Sequence, residues 1–283
     1  MVSPTRRGIG CLVVAFLMLV AGGIGIFFWL RGQGLTDPVP GQQRCVATAG
    51  DQSVTLDLDQ AHFTSIIVGL SVRRGLAPRA ASIAMATVYQ ETGIRNLDYG
   101  DRDSVGLFQQ RPSQGWGTVK QIMDPYYSTG KFYDALVKVK NWETDDINDV
   151  AQKVQRSGYP EAYRDHEADA RVLASALTGQ SPGGFSCLDR SNSGGKTKAM
   201  TTALNKSFGK LDLKSTESIT TIVAEDRKLA WAYAHFAVAN AKYYGVTTVT
   251  IGNQQWQTQS INLPTWDTAP EALASGVVEI TVR

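Results

Sequence analysis

Histidine and cysteine are scarce in this chain, three of each in 283 residues. With so few candidate ligands and no C-x-x-C pair, a zinc scaffold has no basis, and no metal or other cofactor is expected. Serine is present, but Ser82, Ser104 and Ser113 do not stand in a G-x-S-x-G elbow, so a serine hydrolase has no support. Walker-type and dinucleotide-type glycine patterns are both missing. So is any block rich in Lys and Arg. With a formal net charge of +2, nucleic acid is not expected as a partner. No internal repeat occurs.

The residues that are present describe an exported protein. Hydrophobic residues make up 43% of the chain, enough for real cores, and the length suits about two domains. Residues 8–30, "GIGCLVVAFLMLVAGGIGIFFWL", carry no charge, and as a helix would reach roughly 35 Å, enough to cross a bilayer. Arg6 and Arg7 precede this stretch and Arg31 follows it. The bias favours residues 1–7 in the cytoplasm and the bulk of the chain outside the cell membrane. The rival is a cleaved signal peptide, but the apolar run is long for one and no A-x-A-like site follows Leu30. Cys11 reads as a small apolar residue within the membrane.

Outside the membrane, Cys45 and Cys187 bracket one continuous region, and an exported compartment permits a disulfide between them. Two free buried thiols are the alternative. Residues 31–44, "RGQGLTDPVPGQQR", read as a membrane-proximal stalk. A mainly helical domain is expected over 45–187, a linker over 188–200, and a smaller accessory unit over 201–283, giving an α+β fold class overall. In the first domain, Phe63, Ile66, Ile67 and Leu70 fall at helical spacing before a stop at Gly75. A second helix starts at Pro78, is apolar or small nearly all round from Ala80 to Val88, and ends at Gly93. Residues 96–118 hold too many Gly, Asp and Pro for a helix. Further helices are expected near 129–140, 146–158 and 161–177. In the accessory unit, "AEDRKLAWAYAHFAVANAKYYG" reads as one amphipathic helix ending at Gly245, and "VTTVTI" and "VVEITV" alternate as strands. His235 on that helix reads as a packed histidine, since no partner ligand stands near it.

The chemistry centres on Glu91, which closes the apolar helix. Desolvation and the negative end of the helix dipole both disfavour its charged form there. A carboxyl kept protonated can give a proton to a glycosidic oxygen. After Glu91-Thr92-Gly93 comes Gly106-Leu107-Phe108-Gln109-Gln110. This pair of motifs, with helices on both sides, resembles the lysozyme-like lytic transglycosylase superfamily over about residues 60–177. There a Glu-Ser/Thr helix end is followed by a Gly-Leu-Met-Gln-like hairpin, with Phe108 here in place of Met. The longer stretch "NLDYGDRDSVGLFQQRPSQGWGT" looks like a subgroup of exported or membrane-anchored members. The resemblance implies Glu91 as the catalytic acid and Gln109 as a substrate contact. Phe108, Gln110, Tyr99 and Trp116 are further candidates for a sugar's ring face and hydroxyls. The family's Ala-Tyr-Asn-like motif has no full match. In its region, "AQKVQRSGYPEAYRDHEADA", Tyr163 or Tyr159 is the candidate contact.

A transglycosylase needs one carboxyl group; a hydrolase would add a second, for which Asp98, Asp101 and Asp103 are the nearest in sequence. Aspartates in a glycine-containing loop also serve as turn formers. The expectation is cleavage of peptidoglycan glycan strands by the one-carboxylate route. Inverting lysozyme-type hydrolysis comes second, and a catalytically silent wall-binding or scaffold protein with cell-envelope partners comes third.

Overall fold

The computed structural model describes residues 41–283. The expected membrane segment 8–30 and the stalk as far as residue 40 lie outside the described residues. Among those described, no helix is long and apolar enough to cross a membrane. The fold is mixed α+β, with nine α-helices and two antiparallel sheets among the described residues.

The first sheet was not expected from the sequence. Strands β1 (Arg44–Ala49) and β2 (Gln52–Leu56) form a hairpin that turns at Gly50 and Asp51. Cys45, Ala47, Val54 and Leu56 alternate into the core, the period of a half-buried strand. Strand β3 (Phe185–Leu188) pairs with the other edge of β1 and sets Cys187 opposite Cys45. The two are joined by a disulfide, with Cα atoms 3.9 Å apart. The free-thiol alternative does not hold.

Helix α1 (Leu58–Arg73) starts on a capping box: Asp57 accepts from the Gln60 amide, and Gln60 Oε1 accepts from the Asp57 amide. Helix α2 (Pro78–Thr92) has Pro at its first turn and Gly93 as a left-handed cap, as expected. Its residues from Ala80 to Val88 are all buried. Such a helix is held by its neighbours rather than by propensity, and Ile83, Met85 and Val88 each contribute about 1.5–3 kcal/mol by burial. Helix α6 (Glu167–Leu177) is its most extensive neighbour. Between them run α3 (Val119–Ile122), α4 (Pro125–Leu136) and α5 (Ile147–Gln155).

Several helix boundaries differ from expectation, with α4 ending at Leu136 and α5 at Gln155, each before its expected end. Helix α4 begins four residues early, because Asp124 caps the Tyr126 amide and Pro125 takes the first turn. The stretch 161–177 is two pieces, a 3₁₀ turn at Ala162–His166 followed by α6.

Helix α7 (Thr197–Phe208) starts inside the stretch read as a linker and buries Met200, Ala203 and Leu204. Strands β4 (Asp212–Ser215) and β5 (Ile219–Val223) lead into α8 (Arg227–Ala239) and α9 (Ala241–Tyr244). The last strands are β6 (Val246–Ile251), β7 (Gln254–Gln257), β8 (Trp266–Thr268) and β9 (Val277–Val282). Their sheet has the order β4-β5-β9-β6-β7-β8, so the two expected strands, β6 and β9, lie side by side at its centre. The single helix expected up to Gly245 is interrupted at Asn240, whose Nδ2 donates to the Phe236 carbonyl and to Ser65 Oγ. A side chain that takes a backbone acceptor in this way competes with the helix ladder.

Gln43–Arg283 forms one compact unit. Helix α8 packs against α1, α6 and β3 on one side and β6 and β9 on the other, so regions 45–187 and 201–283 share a core. Polar contacts reinforce that joint. Asp59 accepts from Lys242 and Tyr243, and His62 Nδ1 bonds Asn240 Oδ1 at 2.6 Å. The Lys242 ammonium holds the Asp59 carboxyl below its ordinary range. His235 is buried as expected. Its Nδ1 lies 2.8 Å from the Ala176 carbonyl, and Phe185, Trp231 and Trp266 surround the ring.

Candidate active site

Glu91 stands in the last turn of α2, half-buried, where the helix carbonyls point toward it. Two donors meet one of its oxygens. Tyr163 Oη donates to Oε1 at 2.7 Å and Gln155 Nε2 donates to the same atom at 3.2 Å. These donors offset the helix dipole. Among the described residues no hydrogen bond reaches Oε2, so the protein holds one oxygen of Glu91 and not the other. The orientation is rigid because each donor is itself held. The Tyr163 ring is fully buried, and Gln155 Nε2 also donates to the Phe108 carbonyl at 2.8 Å. Burial, followed by the neighbouring Glu91 carboxylate, pushes the Tyr163 phenol well above its ordinary range, so it stays a donor.

The segment after Gly93 folds back under this helix end. Thr92 Oγ1 lies 3.0 Å from the Leu107 carbonyl and 3.1 Å from that of Val88, which ties the hairpin to α2. Gly106 bonds Leu97 through its amide, and Val105 pairs with Gln110. Gly106 has φ +81°, and a Cβ there would meet the backbone oxygen and side chain of Ile122, each at 2.9 Å. Only glycine fits. Gln60 fixes the same region from the other side, its Nε2 donating to the Gly93 carbonyl at 2.9 Å.

The remaining candidates divide clearly. Phe108 is fully buried and stacks on Phe132 with ring centroids 4.5 Å apart. Gln110 is buried and donates to the Ser128 carbonyl. Phe108, Gln110 and Tyr163 were expected to touch a substrate; in the structure their side chains are packed in the interior. Gln109 is half-buried and braces the loop, donating to the Tyr99 and Gly106 carbonyls at 3.2 and 3.4 Å. Tyr99 is 68% exposed, and Tyr159 is exposed as well. Trp116 is half-buried at the edge of a groove that also includes Gln155.

Of the three aspartates, Asp103 is fully engaged. It accepts from the Ser113 amide at 2.7 Å and from Arg111 Nε at 2.8 Å, and those bonds hold its carboxyl far below the usual range. Asp98 and Asp101 are exposed. None of the three shares a hydrogen-bond partner with Glu91.

Sequence reasoning missed Gln155. A signal existed: Ile147, Val150, Ala151 and Val154 form the buried stripe of α5, and a half-buried amide beside such a stripe needs partners. His166, which stacks on Tyr89 and bonds Gln90 at 3.1 Å on the exposed side of the same helix end, was also missed. Comparison with known proteins returns no match, either to the sequence profile of a family or to a curated protein.

Proposed function

We propose that this chain is a membrane-anchored enzyme that cleaves the β-1,4 glycan of peptidoglycan, with a lysozyme-like architecture over about residues 60–177 and Glu91 as its acid and base. The observation that carries this reading is the held carboxyl. A buried tyrosine and an amide fix Glu91 Oε1 at the end of a buried helix, beside the Gly106–Gln109 hairpin, and Oε2 has no protein donor among the described residues. In the protonated state, Oε2 gives its proton to the leaving glycosidic oxygen as the sugar C1–O bond breaks. The resulting carboxylate then takes a proton from a hydroxyl of the same sugar as that oxygen closes onto C1, so no water is consumed. One carboxylate suffices, which agrees with Asp103 being committed to Arg111 and Ser113. The Cys45–Cys187 disulfide suits an oxidising, extracytoplasmic compartment. The anchor is residues 8–30, N-terminus inside. The 201–283 region supports the Glu91 domain and has no catalytic part.

The test is digestion of peptidoglycan by the full-length chain in detergent, beside Glu91→Gln, with fragments read by mass spectrometry. Anhydro-sugar ends that vanish in the variant are expected. Reducing ends lost in the variant would replace this reading with hydrolysis. Unchanged cleavage in Glu91→Gln would remove Glu91 from the chemistry. Retained glycan without cleavage by either protein would mark a silent wall-binding protein.

A further inference from the structure

The last turn of α2 carries Tyr89 and Gln90 directly before Glu91, and one short stretch of chain meets all three. The 3₁₀ turn Ala162–His166 sends Tyr163 to Glu91 Oε1 at 2.7 Å and His166 to the other two. The His166 ring stacks on Tyr89, with centroids 5.2 Å apart and planes 8° from parallel, and its Nε2 lies 3.1 Å from Gln90 Oε1. An amide oxygen only accepts, so Nε2 carries the hydrogen and donates. Residues three apart in a 3₁₀ turn project to the same side, so Tyr163 and His166 face α2 together.

That turn has little of its own to hold it. It is five residues long, no side chain caps its start, and the amides of Ala162 and Arg164 reach their carbonyls at 3.3 Å each. Hydrogen bonds within 3₁₀ backbone are poorly aligned, so a short run depends on its surroundings. Two side chains tie it to neighbouring helices. Arg164 pairs at 3.0 Å with Asp146, the cap of α5. His166 makes the tie to α2, the helix end that carries Glu91. His166 is only half-buried, so it adds this tie without filling the core.

We propose that His166 is a positioning residue for the Glu91 site. By stacking on Tyr89 and donating to Gln90 it clamps the 3₁₀ turn onto α2, and the clamp keeps the Tyr163 hydroxyl on Glu91 Oε1. No hydrogen bond joins His166 to Glu91 among the described residues, so it acts through Tyr163. What the clamp does for glycan cleavage rests on the acid–base reading of Glu91; the clamp itself rests on the contacts alone. If His166 only covered Tyr89, its removal would loosen the molecule generally. If it positions Tyr163, the loss is confined to that one hydroxyl and disappears once the hydroxyl is gone.

The first readout needs no turnover. Tyrosine hydroxyl hydrogen exchange is followed by NMR in the full-length protein in detergent, with an isotope label at the ring carbon that bears the oxygen. Tyr163→Phe identifies the Tyr163 resonance. In His166→Ala, exchange at Tyr163 is expected to accelerate about tenfold or more. Tyr133, fully buried with its hydroxyl 3.0 Å from the Ile67 carbonyl, is the internal control and is expected to keep its rate. No acceleration at Tyr163 overturns the proposal, and so does equal acceleration at both tyrosines, which marks a general loosening. Gln90→Ala, altered at an exposed residue, removes the same bond from the other side and gives the comparison if His166→Ala does not fold. The second readout is peptidoglycan cleavage. His166→Ala is expected to lower kcat about tenfold with KM within about twofold, and to cost less than about twofold more in a Tyr163→Phe background. Equal losses in both backgrounds overturn the proposal. Cleavage unchanged in Glu91→Gln would instead sink the Glu91 reading, and the exchange rates would still decide whether His166 holds Tyr163.

Discussion

Replacing His235 with leucine gives a test that needs no substrate. The imidazole is fully buried, and its Nδ1 faces the Ala176 carbonyl, so Nδ1 carries the hydrogen. Nε2 is then a bare acceptor, and it has no partner among the described residues. Burial lowers the pKa from 6.5 to about 4. Protonation is thus disfavoured in the fold relative to the unfolded chain, by about 3 kcal/mol at roughly 1.4 kcal/mol per pH unit. The sign follows from proton counts. Between pH 6.5 and about 4 the unfolded chain holds the extra proton, so acidification over that window draws the molecule toward unfolding. Above 6.5 both states are neutral at this site and it adds no pH dependence. Leucine removes the titration at small cost, because the Ala176 carbonyl keeps its bond from the Gly179 amide at 3.0 Å. About 1 kcal/mol or less should be lost near neutral pH. The assay is urea denaturation of both proteins, followed by tryptophan fluorescence, from about pH 7.5 down to about pH 4.5. Other titrating groups, His62 among them, are common to both proteins and cancel in the difference. Leucine should gain on histidine by about 2–3 kcal/mol over the range. Parallel curves would show that the buried imidazole is not kept neutral and would refute the reasoning.

Two further predictions concern the site and its frame. Tyr163→Phe keeps the packed ring but removes the donor to Glu91 Oε1. A charge-assisted bond of about 1.5–3 kcal/mol is lost, and glycan cleavage should fall roughly 10- to 100-fold in kcat with little change in melting temperature; unchanged turnover would leave Tyr163 a packing residue only. Cys45→Ala/Cys187→Ala opens a closure spanning 142 residues, which the chain-entropy treatment values at about 5 kcal/mol. A urea midpoint that does not move would show that the fold does not depend on the bridge.

The parts legible in the sequence were those set by local rules. Pro78 and Gly93 bound α2, and the unbroken apolar run between them made its burial readable and put Glu91 at its end. The β6 and β9 strands alternated clearly. Elements that depend on distant partners were not legible. The β1 strand is short and carries Thr and Ala as readily as a loop would. It is a strand because β2 and β3 flank it, and β3 arrives from 142 residues away. The same limit applied to the site. Glu91 could be found from its place on a helix, but Gln155 and Tyr163 reach it from 64 and 72 residues further along, and only the fold brings them there. Phe108, within the hairpin motif, and Gln110, just after it, are buried, and that was not legible because a pattern of residue types does not say which side of a hairpin faces inward.

The disulfide also governs what happens when the backbone is cut. Cys45 and Cys187 make everything between them a covalent ring, and Glu91, the hairpin, Gln155 and Tyr163 all belong to it. The exposed turn from Asp98 to Arg102 is the natural place for a protease to nick. A single nick there would turn the ring into two arms still tied at β1 and β3, with Glu91 on one arm and its two donors on the other. The cut molecule would migrate as one species until reduced. The pieces that form the carboxyl's cradle would stay at high effective concentration, so the site can outlast the continuity of its own chain.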